Sequence, residues 1–188
     1  MSKDIQRNFV FKNVMAYRIG PNWNATVPEI EAALSANRFT ECTPGQDKSV
    51  GWTEPRNVAN GPLLESIGGQ WIAKLLIETK AVPSSVVKRK AELLAQDIEA
   101  KTGRKPGKKE TREMREDILH SLLPQAFAKQ GAVMVWINAK DRLLAIDAGS
   151  TGKADEVITQ LVRALPGLDL NLLQTATSPQ TGMAAWLL

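Results

Sequence analysis

The chain has 188 residues, of which 43% are hydrophobic and 23% charged. That balance fits one folded domain or two small ones and excludes a disordered chain. A single cysteine, Cys42, and a single histidine, His120, exclude an internal disulfide and leave no ligand set for structural zinc. The formal net charge of +4 is a mild excess whose placement matters more than its size.

No run approaches the roughly eighteen apolar residues of a membrane span. Met1 to Arg7 is polar and lacks the apolar region of a secretory signal. The expected compartment is therefore the cytoplasm, with no membrane partner. Five of the ten aromatics are Trp. These are expected to anchor the core, each needing a partner for its indole N–H.

In chain order, residues 9–19 are rich in β-formers and predict a strand stopped by Gly20-Pro21. Thr26 is placed to cap a helix over residues 28–37, with Ile30, Ala33 and Leu34 inward. The breakers Pro44-Gly45, Gly51, Pro55 and Asn60-Gly61 make residues 40–62 a loop. A hairpin is expected from residues 63–67 and 71–80 around Gly68-Gly69, with Ile72, Leu75 and Ile77 as the apolar positions of its second arm.

Pro83-Ser84-Ser85 opens a helix to about residue 101, whose stripe is Val87, Ala91, Leu94 and Ile98. Thr102-Gly103 and Pro106-Gly107 separate it from a second helix over residues 109–123, buried through Met114, Ile118 and Leu122 and ended by Pro124. A second hairpin covers residues 132–147, turning at 138–141. A helix over residues 150–165 then turns Ala154, Val157, Ile158, Leu161 and Val162 inward before Pro166-Gly167. Residues 168–188 show no period and end on Ala185-Trp186-Leu187-Leu188, an apolar stop expected of a truncated chain or of a surface awaiting a partner. Two hairpins with irregularly spaced helices make the fold class α+β, antiparallel sheet packed with amphipathic helices.

Three groupings invite a chemical reading. Gly149-Ser150-Thr151-Gly152-Lys153 sits between a strand and a helix as a phosphate loop would. However, Asp147 replaces the required first glycine, and Ala154 replaces the magnesium-binding hydroxyl. It reads better as a turn capped by Ser150 or Thr151. Glu78-Thr79-Lys80 at a strand end resembles part of a metal-dependent nuclease, for which Asp47 is the nearest upstream acid able to share the metal. Solvated charges at a strand end are the plainer account. His120 reads as a surface or capping histidine on a helix.

The third grouping is basic. Lys88 to Arg115 holds ten Lys/Arg against five Asp/Glu, a local excess that accounts for the chain's entire positive charge. Arg104, Lys105, Lys108 and Lys109 surround the Pro106-Gly107 turn. Lys108 and Lys109 stand at a helix N-terminus, where the dipole disfavours cations unless an anion is present. Two readings stay open on composition: a polyanion site, or a solvated hairpin balanced by Glu110, Glu113 and Glu116. A basic protein-interaction module that binds an acidic protein surface is the alternative to a nucleic-acid site. No base-reading motif is visible, so any nucleic-acid contact would be to the backbone and strongly salt-dependent.

Several stretches carry a resemblance. They are Phe11-Lys12-Asn13 with Tyr17-Arg18, Phe39-Thr40 before Cys42, Gly51-Trp52, and Val58-Ala59-Asn60-Gly61. Val82-Pro83-Ser84 with Val86 and Lys88, His120-Ser121-Leu122-Leu123-Pro124 with Ala126-Phe127, and Trp136-Ile137 follow. In order and spacing, from about residue 9 to the end, the chain resembles the RdgC family of bacterial recombination-associated proteins.

The resemblance implies a ring-shaped homodimer with a basic hole that can encircle DNA. Such a protein binds single and double strands without sequence preference and restrains recombinase-driven strand exchange by occupying DNA. Contact with a recombinase would be indirect, through shared DNA. It also implies no enzymatic activity, no cofactor, and a place on the nucleoid. Carried over by position, the DNA-facing set is Lys88, Arg89, Lys90, Lys101, Arg104, Lys105, Lys108, Lys109 and Arg112. Phe127 falls where family members insert an aromatic into the partner subunit. By the same likeness, residues 1–80 would form the α+β part of a central domain, and 81–130 a projecting basic helical hairpin. Residues 131–188 would form the second hairpin, a helix and the start of a C-terminal region. Family chains continue beyond this point, so a truncated member or an N-terminal portion is expected.

Overall fold

A computed structural model describes residues 11–186. Phe9 and Val10 of the expected first strand, the polar N-terminus, and Leu187 and Leu188 lie outside the described residues. The described elements are an antiparallel seven-stranded sheet and five α-helices, which is α+β as expected. The strands are β1 (Val14–Ile19), β2 (Lys48–Thr53), β3 (Leu64–Ile67), β4 (Gln70–Lys80), β5 (Ala128–Asn138), β6 (Leu143–Asp147) and β7 (Leu170–Leu172). The helices are α1 (Val27–Ala36), α2 (Ser84–Thr102), α3 (Lys108–Leu122), α4 (Thr151–Ala164) and α5 (Pro179–Trp186), with a 3-10 turn at Leu123–Gln125. The strand order is β2-β4-β5-β6-β1-β7, with β3 also on β4.

The chain divides into two compact units. One takes the described residues up to Arg38, Gly51–Leu75, and those from Ala132 onward. Its core follows the strand period: Val133, Val135 and Ile137 on β5, and Leu144 and Ile146 on β6, are buried at alternate positions. Helix α1 adds Ile30 and Leu34, and α4 adds Val157 and Leu161. Thr26 caps α1 as expected. Its N–H donates to Glu29 at 2.7 Å, the reciprocal half of a capping box, and this bond holds the Glu29 carboxyl below its usual pKa. Glu31 accepts the Leu63 and Leu64 amides at 2.9 and 2.7 Å, fixing the entry to β3. The turn into β4 has φ of +58° at Gly68 and +80° at Gly69, which suits a tight hairpin and strains any side chain.

Four expectations are corrected in this unit. The first strand starts at Val14 rather than earlier, because the Lys12 and Asn13 amides donate to Asp147 at 3.0 and 2.9 Å and leave the ladder. Within the expected 40–62 loop lies β2, whose Trp52 is 0% exposed and donates its backbone N–H to Asn37 at 2.9 Å. The buried stripe of α4 runs to Ala164, leaving Val162 exposed. The apparently aperiodic tail contains β7, which pairs with β1 in register Tyr17↔Leu172, and α5. Its Trp186 is 85% exposed; Trp23 and Trp52 are buried in the core as expected, but the Trp52 indole N–H is buried without the expected partner among the described residues.

The other unit takes Phe39–Val50 and Leu76–Gly131. It is built on the antiparallel pair α2 and α3, and Ala91 and Leu123 are its buried apolar side chains among the described residues. Leu94, expected inward, is exposed together with Val86 and Leu93. Pro124 ends α3 as expected, tightening the chain into the 3-10 turn.

Candidate nucleic-acid interface

Local chemistry sets the shape of the basic hairpin. Gly103 ends α2 in the left-handed conformation at φ +74°, its N–H donating to Glu99 at 2.8 Å, as a glycine C-cap does. Gly107 caps α3 in extended geometry, and its N–H donates to Glu110 at 2.8 Å. The Pro106-Gly107 turn therefore brings Arg104 across to Glu110. The guanidinium donates two bonds to that carboxylate, at 2.9 and 2.7 Å. This pairing and the Gly107 amide hold the Glu110 carboxyl at a pKa of about 2.

The predicted DNA-facing residues all lie on this hairpin, and most of them are engaged internally. Lys101 binds Asp97 at 2.7 Å, Arg112 binds Glu116 at 2.9 Å and Lys109 lies 3.8 Å from Glu113. Lys88 and Lys105 each lie 3.9 Å from an acid, Glu92 and Glu99 respectively. Arg89, Lys90 and Lys108 are exposed and make no ion pair among the described residues. The hairpin thus combines both readings left open by composition. Its helices are laced with i,i+4 pairs, yet cations remain in excess.

Sequence reasoning missed Arg115. It is exposed and unpaired among the described residues, and it lines a groove of about 1060 Å³ with Lys88, Lys108 and Arg112. Lys108, Arg112 and Arg115 stand at i, i+4 and i+7, so helical spacing would have placed them on one face of α3. Ser84, Ser85, Thr111 and Glu116 complete its polar lining. Phe127, just beyond the 3-10 turn, is 95% exposed.

The remaining candidates have structural employment. Glu78 is 3% exposed and accepts the Cys42 amide at 2.7 Å and the Gln130 side-chain amide at 2.7 Å. These bonds hold its carboxyl below the usual range, the one from Gln130 contributing most. Lys80 donates to the Cys42 and Thr43 carbonyls at 3.2 and 2.9 Å, and its backbone N–H donates to the Asp47 carbonyl at 2.7 Å. No group of three or more acid, His or Cys side chains able to hold a metal occurs among the described residues. In the glycine-containing turn at 149–153, Ser150 takes the N-cap position of α4 with extended backbone, and Asp147 is committed to the Lys12 and Asn13 amides. His120 is exposed in the last turn of α3. No helix among the described residues is long and apolar enough to cross a membrane.

Comparison with known proteins assigns the family. Residues 9–188 match the family model described as "RdgC: Putative exonuclease, RdgC". The chain is 38% identical over 177 residues to the recombination-associated protein RdgC of Dechloromonas aromatica (strain RCB), covering 94% of this chain and 58% of that one. It is likewise 38% identical to that of Cupriavidus necator and 37% identical to that of Janthinobacterium sp. (strain Marseille), with the same 94% and 58% coverage. The chain thus spans 58% of the length of these relatives. With the family model matched over nearly its whole length, the chain belongs to the RdgC family.

Proposed function

We propose that this chain binds single- and double-stranded DNA through phosphate contacts, without sequence preference, and thereby modulates homologous recombination. The observation that carries the reading is the cation excess of the α2–α3 hairpin, where Arg89, Lys90, Lys108 and Arg115 stand exposed with no acid partner among the described residues. Such charges neutralise phosphates and release counterions whatever the base sequence. The named activity of the relatives, recombination association, supports the same reading. The paired cations Lys88, Lys101, Arg104, Lys105, Lys109 and Arg112 form a second rank, available once phosphate competes with their acids.

The assembly in this reading is a homodimer that encircles or coats DNA on the nucleoid and restrains recombinase-driven strand exchange by occupancy. An almost fully exposed Phe127 beside a hairpin with so small a core supports it, since that ring gains most by burial in a second copy. The role is non-catalytic: Glu78 and Lys80 serve as local clamps, and the exonuclease description of the family model is set against that geometry.

The test is fluorescence anisotropy of random-sequence duplex and single strand across a salt series. Equal affinity for scrambled sequences with a steep log-log slope is expected, and the charge reversals Arg89→Glu and Lys108→Glu should flatten that slope. An unchanged slope in both variants overturns the site.

A further inference from the structure

We propose that the groove between the first turn of α2 and the face of α3 docks an acidic protein segment carrying an apolar anchor side chain. The groove is amphipathic. Val82, Val87 and Leu119 contribute aliphatic lining, and Lys108, Arg112 and Arg115 bring positive charge along the same face of α3. From Lys108 to Leu119 the helix rises roughly 16 Å, the reach of about five extended peptide residues.

Charge and shape together select the occupant. Four basic side chains and one acid, Glu116, line the groove, and Glu116 is neutralised by Arg112 at 2.9 Å. The field is therefore positive and favours an anionic ligand. A phosphodiester strand would satisfy the cations but leave the aliphatic lining facing water. The lining also includes no aromatic ring on which a base could stack. An acidic peptide with one large apolar residue uses both: the side chain packs on the aliphatic lining while carboxylates meet Lys108 and Arg115. Because Lys88, Lys108 and Arg112 also belong to the DNA-facing set, peptide and DNA compete for them. An acidic partner would thus loosen the hairpin from DNA.

The experiment uses the full chain and a labelled peptide of sequence Asp-Asp-Leu-Phe-Asp-Asp, with an all-Asp hexapeptide as control. Anisotropy should give affinity for the first at least about tenfold above the control, and Arg115→Glu should remove about tenfold of it, as loss of a seated charge contact does. Val82→Asp, in the segment before α2, should do the same while Arg89→Glu should not, since Arg89 lies outside the groove. That last variant separates the proposal from the DNA reading, which requires Arg89 but not the aliphatic lining. Equal binding of the two peptides would overturn the proposal, leaving mere counterion attraction. So would a short oligonucleotide losing more affinity than the peptide in Val82→Asp. Sedimentation showing that Arg115→Glu and Val82→Asp dissociate a dimer without affecting peptide binding would also overturn it, assigning the groove to a second copy.

Discussion

Arg104 meets Glu110 across the Pro106-Gly107 turn with two hydrogen bonds, 2.9 and 2.7 Å long, while the same carboxylate receives the Gly107 N–H at 2.8 Å. An arginine presenting both its nitrogens to one carboxylate is arranged as it would be on a phosphate. On the proposed reading the acid holds the place a phosphate would take, and DNA binding at this arginine would exchange one anion for the other.

Glu110→Gln tests that exchange. Glutamine still offers an oxygen to the Gly107 N–H, so the cap of α3 survives, but the charge that holds Arg104 is gone. Duplex affinity should rise at low salt, and the log-log salt slope should steepen by about 0.9 for each phosphate newly engaged. A slope identical to that of the parent chain would show that Arg104 stays off the DNA.

The same pair predicts a pH response. The Glu110 carboxyl is lowered from 4.5 to about 2, first by Arg104 and next by the Gly107 amide. A depressed carboxylate pKa contributes stability that is complete above the unfolded value and is lost as pH falls through the folded one. The Arg104 contact should therefore persist at pH 4 and fail only on approach to pH 2. Carboxyl-detected NMR titration should place the Glu110 midpoint there, and Arg104→Ala should move it upward. A midpoint in the ordinary glutamate range in the parent chain would mean that the pair is open in solution.

How much of this was legible in the chain depended on whether the determinant was local. Gly68-Gly69, the Thr26-Glu29 box and Pro124 act on their neighbours, and the elements they bound lie within a residue or two of expectation. Strand β2 escaped because Lys48, Ser49 and Gly51 have little strand preference. Its stability comes from pairing and from burying Trp52, which are tertiary effects. The basic hairpin was legible from its apolar spacing, its Pro106-Gly107 turn and its charge. Which cations are held by Asp97, Glu99, Glu110 and Glu116 required the helices' geometry. Arg115 was overlooked because the cations were counted along the chain rather than around the helix. Leu94 and Val162 fitted their apolar stripes in spacing, yet the stripes are narrower than the pattern allowed.

Glu78 separates a structural role from a catalytic one. Glu78→Ala leaves the Cys42 N–H without its acceptor, a loss of about 1–3 kcal/mol for an unsatisfied polar group. Glu78→Gln retains an acceptor oxygen and should recover part of it. Thermal unfolding should order the three chains as parent, Gln, Ala. With magnesium and end-labelled DNA, none should release nucleotides. Cleavage by the parent that disappears in Glu78→Gln, without a matching fall in stability, would assign the carboxylate to chemistry instead.

Phe127 and Trp52 form a contrasting pair. Trp52 is fully buried and Phe127 is 95% exposed. Trp52→Ala should destabilise the chain by about 3–5 kcal/mol, the cost of emptying a large core site. Phe127→Ala removes almost nothing from the fold, so its unfolding free energy should stay within about 0.5 kcal/mol of the parent. If the ring seats in a second copy, the same substitution should shift sedimentation towards the monomer and weaken DNA binding, because two linked hairpins hold DNA better than one. Destabilisation of the monomer by Phe127→Ala would mean that the ring packs within its own chain. Unchanged sedimentation with unchanged stability would remove Phe127 from the interface and leave the exposed Val86 and Leu93 of α2 as the surface to test next.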